Sequence, residues 1–117
     1  MIFPAQLDVL ADVLREADVS PPDRAALDAE LRISSELSDA AIADGRLVEV
    51  AAGLMYDRST LEAIIARIRA DIEANGPRTV AQMRDVLDAS RKYTLALVTY
   101  TDEHKITRRV GDTRVLY

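Results

Sequence analysis

The stretch Ser90–Leu116, SRKYTLALVTYTDEHKITRRVGDTRVL, decides the fold. Its first part, residues 90–100, opens with a serine and two cations and continues as a mostly apolar segment. Its second part, residues 106–116, mixes apolar and basic residues about Gly111-Asp112, which is typical of a hairpin. A short helix with a cationic start, followed by a cationic hairpin, predicts a winged-helix domain that faces a nucleic acid.

The start of the predicted helix combines a capping serine with two positive charges. The Ser90 hydroxyl is expected to accept a hydrogen bond from a backbone N–H of the first turn. Arg91 and Lys92 follow at once, where the helix dipole disfavours cations and favours an anion such as phosphate. This pattern indicates either a phosphate site at the helix end or two solvated surface cations.

The predicted hairpin places like charges opposite each other. A two-residue loop at Gly111-Asp112 pairs Val110 with Thr113, Arg109 with Arg114, Arg108 with Val115 and Thr107 with Leu116. Directly opposed like charges destabilise a ribbon, so the Arg109–Arg114 pair favours a polyanion lying across it. A basic edge that prevents sheet aggregation is the alternative. The residues expected to face the core are Ile106, Val110 and Val115.

Both parts of this stretch resemble the last winged-helix domain of the selenocysteine-specific translation elongation factor SelB. That family has a run close to SRKYAIPLLEYLD, followed after a few residues by TRRxGDxRVL. The chain keeps Ser90-Arg91-Lys92-Tyr93, Leu95, Leu97, Tyr100, Asp102, Thr107-Arg108-Arg109, Gly111-Asp112 and Arg114-Val115-Leu116. It departs from the family at Ala96, Thr99 and Thr101. The upstream part resembles, more loosely, the preceding winged helix of that family.

The resemblance implies a function and a set of contact residues. SelB-type factors recognise a hairpin of the SECIS type in selenoprotein messenger RNA, which directs selenocysteine incorporation at UGA codons. The implied RNA-binding residues are Ser90, Arg91, Lys92, Tyr93, Arg108, Arg109 and Arg114. The cations would contact phosphates, and Ser90 would offer its hydroxyl and backbone N–H. Tyr93 either stacks on an unpaired base or packs within its domain.

The resemblance also implies partners and a cellular setting. The family's GTPase and tRNA-binding domains would lie upstream in the same factor, and GTP would bind only there. The ribosome is a further expected partner, and the chain is expected to be monomeric and cytoplasmic, without a cofactor. The sequence contains no P-loop signature G-x-x-x-x-G-K-[ST], so we expect no enzymatic activity from this chain, and no catalytic or metal-binding residue is predicted.

Charge is distributed unevenly along the 117 residues, whose net charge is −5. Residues 1–76 hold 7 Lys+Arg and 15 Asp+Glu, a net of −8, whereas residues 77–117 hold 8 and 5, a net of +3. This asymmetry indicates that the second half binds the anion. The absence of cysteine excludes disulfides and thiolate chemistry. Neither a signal peptide nor an apolar run of membrane-spanning length is evident.

The upstream sequence predicts a second set of the same elements. Helices are predicted over residues 5–17, from Pro22 to Leu31, and from a cap at Ser34 or Ser35 to Gly45. Residues 46–57 then predict a hairpin around Ala52-Gly53.

The strongest helix signal joins the two sets. Ser59 and Glu62 predict a capping box, and Asn75-Gly76-Pro77 predicts the end of the helix. The apolar stripe along this helix is Leu61, Ile64, Ile65, Ile68 and Ile72. A helix over residues 80–87 and a turn at Asp88-Ala89 then lead to Ser90.

These elements predict a mainly α fold with small β-hairpins (α+β), arranged as two tandem winged-helix domains. Residues 1–57 form an acidic domain in which Ser34-Ser35-Glu36 replaces Ser-Arg-Lys, so we expect a spacer or a protein-facing module. Residues 58–117 form the basic RNA-binding domain. A winged-helix protein-interaction module and a DNA-binding regulator are the alternatives, because the Thr-Arg-Arg hairpin does not distinguish RNA from DNA.

Overall fold

The computed structural model describes residues 5–117, which form six helices and five short strands. The helices are α1 (Ala5–Ala17), α2 (Arg24–Leu31), α3 (Ser35–Asp44), α4 (Arg58–Asn75), α5 (Val80–Leu87) and α6 (Arg91–Glu103). The strands are β1 (Leu47–Ala51), β2 (Leu54–Asp57), β3 (Arg78–Thr79), β4 (Thr107–Val110) and β5 (Thr113–Leu116). The chain divides into two compact units, of which the first ends at Leu61 and the second runs from Glu62 to Tyr117. No helix in this range is long and apolar enough to cross a membrane.

The first unit packs its helices on a leucine-rich core. In α1, Leu7, Leu10 and Leu14 recur at helical spacing and are at most 1% exposed. The other buried members of this core are Leu27, Ile33, Ala41, Leu47 and Met55. Burying one leucine side chain stabilises a fold by about 1.5–3 kcal/mol, so this stripe explains why α1 occupies the predicted residues 5–17.

Side-chain caps set the helix boundaries of the first unit. Asp23 accepts a hydrogen bond from the Ala25 N–H at 3.1 Å and caps α2, so Pro22 lies just outside the helix rather than in its first turn. Ser34 accepts from the Leu37 N–H at 3.2 Å and caps α3, as predicted. Gly45 ends α3 with a φ of 87°, in the left-handed region that glycine adopts at low cost.

The two strands of the first unit form the predicted hairpin. β1 and β2 pair in antiparallel fashion around Ala52-Gly53. All four residues of β2 are buried, and within this strand the Tyr56 hydroxyl donates a hydrogen bond to the Val19 carbonyl at 2.9 Å. The hairpin therefore completes the hydrophobic core instead of standing out from it.

The start of α4 differs from the prediction. The capping box of Ser59 and Glu62 is wrong, because α4 begins at Arg58 and Asp57 caps it. Asp57 Oδ2 accepts from the Thr60 N–H at 3.2 Å and also from the Ser59 hydroxyl. A carboxylate at a helix N-terminus gains from the helix dipole as well as from the hydrogen bond, so Asp57 takes the place expected for serine.

The second unit rests on the apolar stripe of α4. Ile64, Ile68 and Ile72 are at most 5% exposed, whereas Ile65, predicted in the same stripe, is only partly buried. The helix ends as predicted, since Gly76 has a φ of 75° and the helical residues stop at Asn75.

Two helices and a three-stranded sheet complete the second unit. α5 occupies the predicted residues 80–87 and has a reciprocal capping box of Thr79 and Gln82. The strand order is β3-β5-β4, and the β4–β5 register is the predicted one, with Arg109 opposite Arg114. The sequence did not predict β3, which pairs Arg78 with Arg114. This pairing brings the basic hairpin beside the start of α5.

Candidate nucleic-acid interface

The N-terminus of α6 carries no side-chain cap. Ser90 occupies the capping position with extended backbone, but its hydroxyl makes no capping hydrogen bond, so the predicted cap is wrong. The Ser90 carbonyl instead accepts from the N–H of Thr94 at 3.0 Å and from its hydroxyl at 2.9 Å. Because Thr94 holds the backbone in place, the Ser90 hydroxyl and the first N–H groups of α6 are available to an anion.

Arg91 and Lys92 project from this helix start. Both are exposed, and neither has a carboxylate partner among residues 5–117. The Lys92 Nζ lies 5.3 Å from the centroid of the Tyr93 ring, a distance at which a cation is attracted to the ring face. Tyr93 itself is partly buried.

Strand β4 contributes two further exposed cations. Arg108 and Arg109 follow each other on β4 and are exposed. Arg109 Nε donates to the Gly111 carbonyl at 2.8 Å, which holds the side chain at the hairpin loop. In the part of the chain that the structure describes, neither arginine forms an ion pair. Four unpaired positive charges therefore lie on α6 and β4 of one unit.

The inward side of the hairpin is not the predicted one. Val110, expected in the core, is 49% exposed, while Ile106 and Val115 are only partly buried. Thr107 and Arg114 are the buried residues of the hairpin, at 1% and 7% exposure. Polar contacts with the end of α6 decide which side packs inward, and hydrophobic alternation alone does not reveal them.

Arg114 is neutralised within the protein. Its Nε donates to Asp102 Oδ2 at 2.9 Å, and Asp102 Oδ1 accepts from the Thr107 hydroxyl at 2.7 Å. The predicted uncompensated repulsion between Arg109 and Arg114 is therefore wrong, although their cross-strand pairing is confirmed. A charge that is buried requires such a partner.

The sheet forms a row of three arginines that the sequence did not predict. The strand order places Arg78, Arg114 and Arg109 at neighbouring positions on β3, β5 and β4. Arg78 Nε donates to Asp71 Oδ2 at 2.9 Å, so two of the three arginines carry internal carboxylate partners. The sequence signal for β3 is the dipeptide Arg78-Thr79 between Gly76-Pro77 and α5, and two residues are too few to predict a strand.

A cavity of about 300 Å³ lies between the start of α6 and the hairpin. Its lining residues are Thr79, Val80, Ala81, Arg91, Leu95, Arg109, Asp112 and Arg114. Three of the predicted contact residues therefore meet at one place, whereas Ser90, Lys92, Tyr93 and Arg108 are not part of the lining. Leu95, which is 39% exposed, and the start of α5 were not predicted, because only the tertiary fold brings them to the hairpin.

In the first unit, the helix and strand that correspond to α6 and β4 are α3 and β1, and their carboxylates pair with an arginine. Arg24 Nη1 lies 3.1 Å from Glu49 on β1, and Arg24 Nη2 donates to the Ser38 hydroxyl at 2.8 Å and to Asp39 on α3. The hydrogen bond to Asp39 raises the pKa of the Arg24 guanidinium above its ordinary value. Arg46, the cation of this hairpin, is paired with Asp8. Arg24 and Arg46 are thus engaged by carboxylates of their own unit.

Comparisons with known proteins identify a family that is similar to the second unit. Residues 71–116 match the family model described as elongation factor SelB, winged helix. A selenocysteine-specific elongation factor of Desulfomicrobium baculatum is 32% identical over 71 residues, which cover 61% of this chain and 11% of that protein. The chain therefore spans about a tenth of the length of this curated relative.

Solved structures show the same fold. The mRNA-binding domain of elongation factor SelB from E. coli, solved in complex with SECIS RNA, has a TM-score of 0.78 and 19% identity, with 98% of each chain covered. A bacterial selenocysteine-specific elongation factor, EF-Sec, has a TM-score of 0.83 and 20% identity over 97% of this chain and 18% of that chain. The predicted resemblance to the SelB winged helix is confirmed, as is a mainly helical winged-helix fold with small sheets.

Proposed function

Because residues 71–116 carry a winged helix of the SelB kind, we propose that this chain binds a hairpin in messenger RNA. The hairpin is of the SECIS type, and its capture directs selenocysteine incorporation at UGA codons. The chain acts by binding alone and performs no catalysis. The observation that carries the proposal is the group of four exposed cations, Arg91, Lys92, Arg108 and Arg109, on α6 and β4 of the second unit.

The four cations supply the phosphate contacts. Each cation that neutralises a phosphate releases counterions, so the logarithm of affinity falls by about 0.7–0.9 for each tenfold rise in salt. Four phosphate contacts predict a slope of about −3 when the logarithm of RNA affinity is plotted against the logarithm of salt concentration. The Ser90 hydroxyl and the first N–H groups of α6 add donors at the positive end of the helix.

The cavity supplies the second element of recognition. Arg91 and Arg109 lie at its lining together with the half-exposed Leu95, so it combines charge with an apolar surface. RNA readers stack unpaired bases on aromatic rings or on arginine guanidinium planes, and Arg91 and Arg109 would supply such planes. Arg114 belongs to the same proposed site, and its ion pair with Asp102 determines how much of its charge reaches the RNA.

The first unit has a different role in this proposal. It too is a winged helix, so that residues 1–57 and 58–117 form tandem domains. Since Arg24 and Arg46 are paired with its own carboxylates, it acts as a spacer or a protein-facing module. A protein partner for this unit is the second candidate function, and its acidic surface would favour a basic partner.

The chain would work within a longer cytoplasmic factor. GTPase and tRNA-binding domains of the same factor would lie upstream and would alone bind GTP. The ribosome is a further partner, and the RNA-binding region acts as a monomer. The support for this part of the proposal is that the relative of D. baculatum is a selenocysteine-specific elongation factor, of which this chain spans 11%.

A competition experiment with the full chain tests the proposed function. A stem–loop RNA selected on this chain from a loop-randomised pool, a fully paired RNA and a duplex DNA of the same length are titrated by fluorescence anisotropy. We expect the stem–loop to bind most tightly. Equal affinity for all three nucleic acids would contradict hairpin recognition, and preference for duplex DNA would support the regulator instead.

A further inference from the structure

We propose that Asp102 is a positioning residue that sets specificity in the second unit. It fixes the hairpin on α6, which sets the shape of the cavity and thereby the preference for one RNA shape. It also neutralises Arg114, which limits the attraction of phosphates from RNA of any shape. This inference rests on the proposed RNA-binding function. Asp102 itself makes no contact with RNA in this account and acts through Arg114 and Thr107.

The two oxygens of Asp102 engage two different strands. Asp102 lies in the last turn of α6. Its Oδ1 accepts from the Thr107 hydroxyl on β4 at 2.7 Å, and its Oδ2 accepts from Arg114 Nε on β5 at 2.9 Å. One carboxylate therefore ties both strands of the hairpin to the helix that carries Arg91 at its other end.

A second polar contact fixes the same junction. The hydroxyls of Thr101 and Thr107 lie 2.8 Å apart, and both residues are at most 1% exposed. The Thr107 hydroxyl donates its hydrogen to Asp102, so Thr101 is the donor in this contact. The end of α6 is thus joined to β4 through buried hydroxyls, which leaves little freedom for the hairpin to shift against the helix.

The charge of Asp102 determines what Arg114 can do. The Arg114 side chain is 8% exposed, and Arg114 lines the cavity. Paired with Asp102, it adds no net charge to the lining, so attraction of a generic phosphate falls to Arg91 and Arg109. Without the carboxylate, the cavity gains one positive charge, and positive charge favours all nucleic acids regardless of shape.

The row of arginines makes this neutralisation more important. Arg114 lies between Arg78 and Arg109 in the sheet. Like charges opposed across strands repel each other, and Asp71 and Asp102 offset that repulsion at two of the three positions. Arg109 is then the one member of the row, among the described residues, whose charge faces the ligand without a carboxylate partner.

Asp102→Asn in the full chain tests the inference. Binding of the selected stem–loop and of the fully paired RNA is measured across a salt series. We expect the salt slope of both RNAs to steepen by about 0.7–0.9, as for one added phosphate contact, and preference for the stem–loop to fall about fivefold, the scale of one net hydrogen bond. An unchanged slope with unchanged preference in the folded variant would overturn the inference.

Asp112→Asn is the matched control. Asp112 also lines the cavity, and the change adds the same charge without touching the α6–hairpin junction. We expect its salt slope to steepen while the preference for the stem–loop stays near the wild-type value. Equal loss of preference in both variants would mean that any added charge suffices, and Asp102 would have no positioning role.

The double variant Asp102→Asn/Arg114→Met covers the case in which the single change unfolds the unit. It removes both charges and leaves no unpaired buried cation. We expect its salt slope to return to the wild-type value while the preference for the stem–loop stays low, because the hairpin is no longer fixed. A double variant with wild-type preference would overturn the inference. A wild-type chain that selects no stem–loop from the pool would instead contradict the proposed function.

Discussion

The Arg114 guanidinium and the Asp102 carboxylate form an ion pair of 2.9 Å that joins the last strand to the end of α6. The Arg114 side chain is 8% exposed and that of Asp102 is 27% exposed. Because the arginine is buried, this carboxylate compensates the cost of burying its charge. The pair connects the stability of the second unit with its electrostatic surface.

Removal of the carboxylate is expected to destabilise the second unit. Asp102→Asn leaves Arg114 buried without its counter-charge and weakens the bond with Thr107. We expect the free energy of unfolding to fall by about 2 kcal/mol, below the full cost of breaking a buried pair because Asp102 is partly exposed. Urea denaturation followed by circular dichroism measures it. Asp112→Asn is the control and should change stability by less than about 0.5 kcal/mol.

Arg24 is expected to matter for stability and not for RNA binding. Arg24→Gln loses the hydrogen bonds to Asp39 and Ser38 and the contact with Glu49. We expect a loss of about 1–2 kcal/mol, with unchanged affinity for the stem–loop RNA. A stable variant with weakened RNA binding would contradict the role assigned to the first unit.

The raised pKa of Arg24 determines the pH range over which Arg24 stabilises the folded state. The hydrogen bond to Asp39 raises the pKa in the folded state above that in the unfolded state. The stability it adds is therefore fully present below the ordinary pKa of arginine and is lost only as the pH rises through the folded-state pKa. We expect the difference in unfolding free energy between wild type and Arg24→Gln to be constant from pH 7 to pH 9 in denaturation curves. A difference that fell over this range would contradict the assignment.

Substitutions of Tyr93 distinguish base stacking from packing as the role of its ring. Its ring is partly buried and lies beside Lys92. If the ring stacks on a base, Tyr93→Ala should weaken stem–loop binding by about 1–3 kcal/mol, while Tyr93→Phe should bind as wild type does. If the ring only packs, Tyr93→Ala should lower the melting temperature and leave the affinity of the folded chain unchanged. Anisotropy titrations beside thermal melts distinguish these outcomes.

Apart from β3, the helices and strands of the second unit could be predicted from the sequence because their signals are local. The Gly111-Asp112 loop sets the pairing of Arg109 with Arg114, and the register follows from the loop length alone. Gly76 ends α4 for an equally local reason. Such features need no knowledge of the tertiary structure.

The electrostatics of the same hairpin could not be predicted, because they depend on contacts between elements. Asp102 is separated from Arg114 by 12 residues, and nothing in the local pattern pairs them. Thr79 and the start of α5 reach the cavity only through the pairing of β3 with β5. The sequence therefore predicts that Arg109 and Arg114 lie opposite each other. It does not predict that Asp102 neutralises Arg114.

The chain is expected to bind no guanine nucleotide. Its sequence has no P-loop, so the backbone N–H cradle that holds the phosphates of GTP is missing. Isothermal titration of the full chain with GTP and Mg²⁺ should give no saturable heat. Saturable binding would require a nucleotide site that this account does not contain.

The salt dependence of stem–loop RNA binding tests the central claim most directly. Wild type is compared with Arg91→Gln/Arg109→Gln and with Arg69→Gln/Arg84→Gln, which removes two exposed cations that do not line the cavity. We predict a slope of about −3 for the wild type and for the control pair, and a slope less steep by about 1.4–1.8 for the cavity pair. Equal slopes in all three proteins, with all three folded, would contradict the claim that these cations bind the RNA.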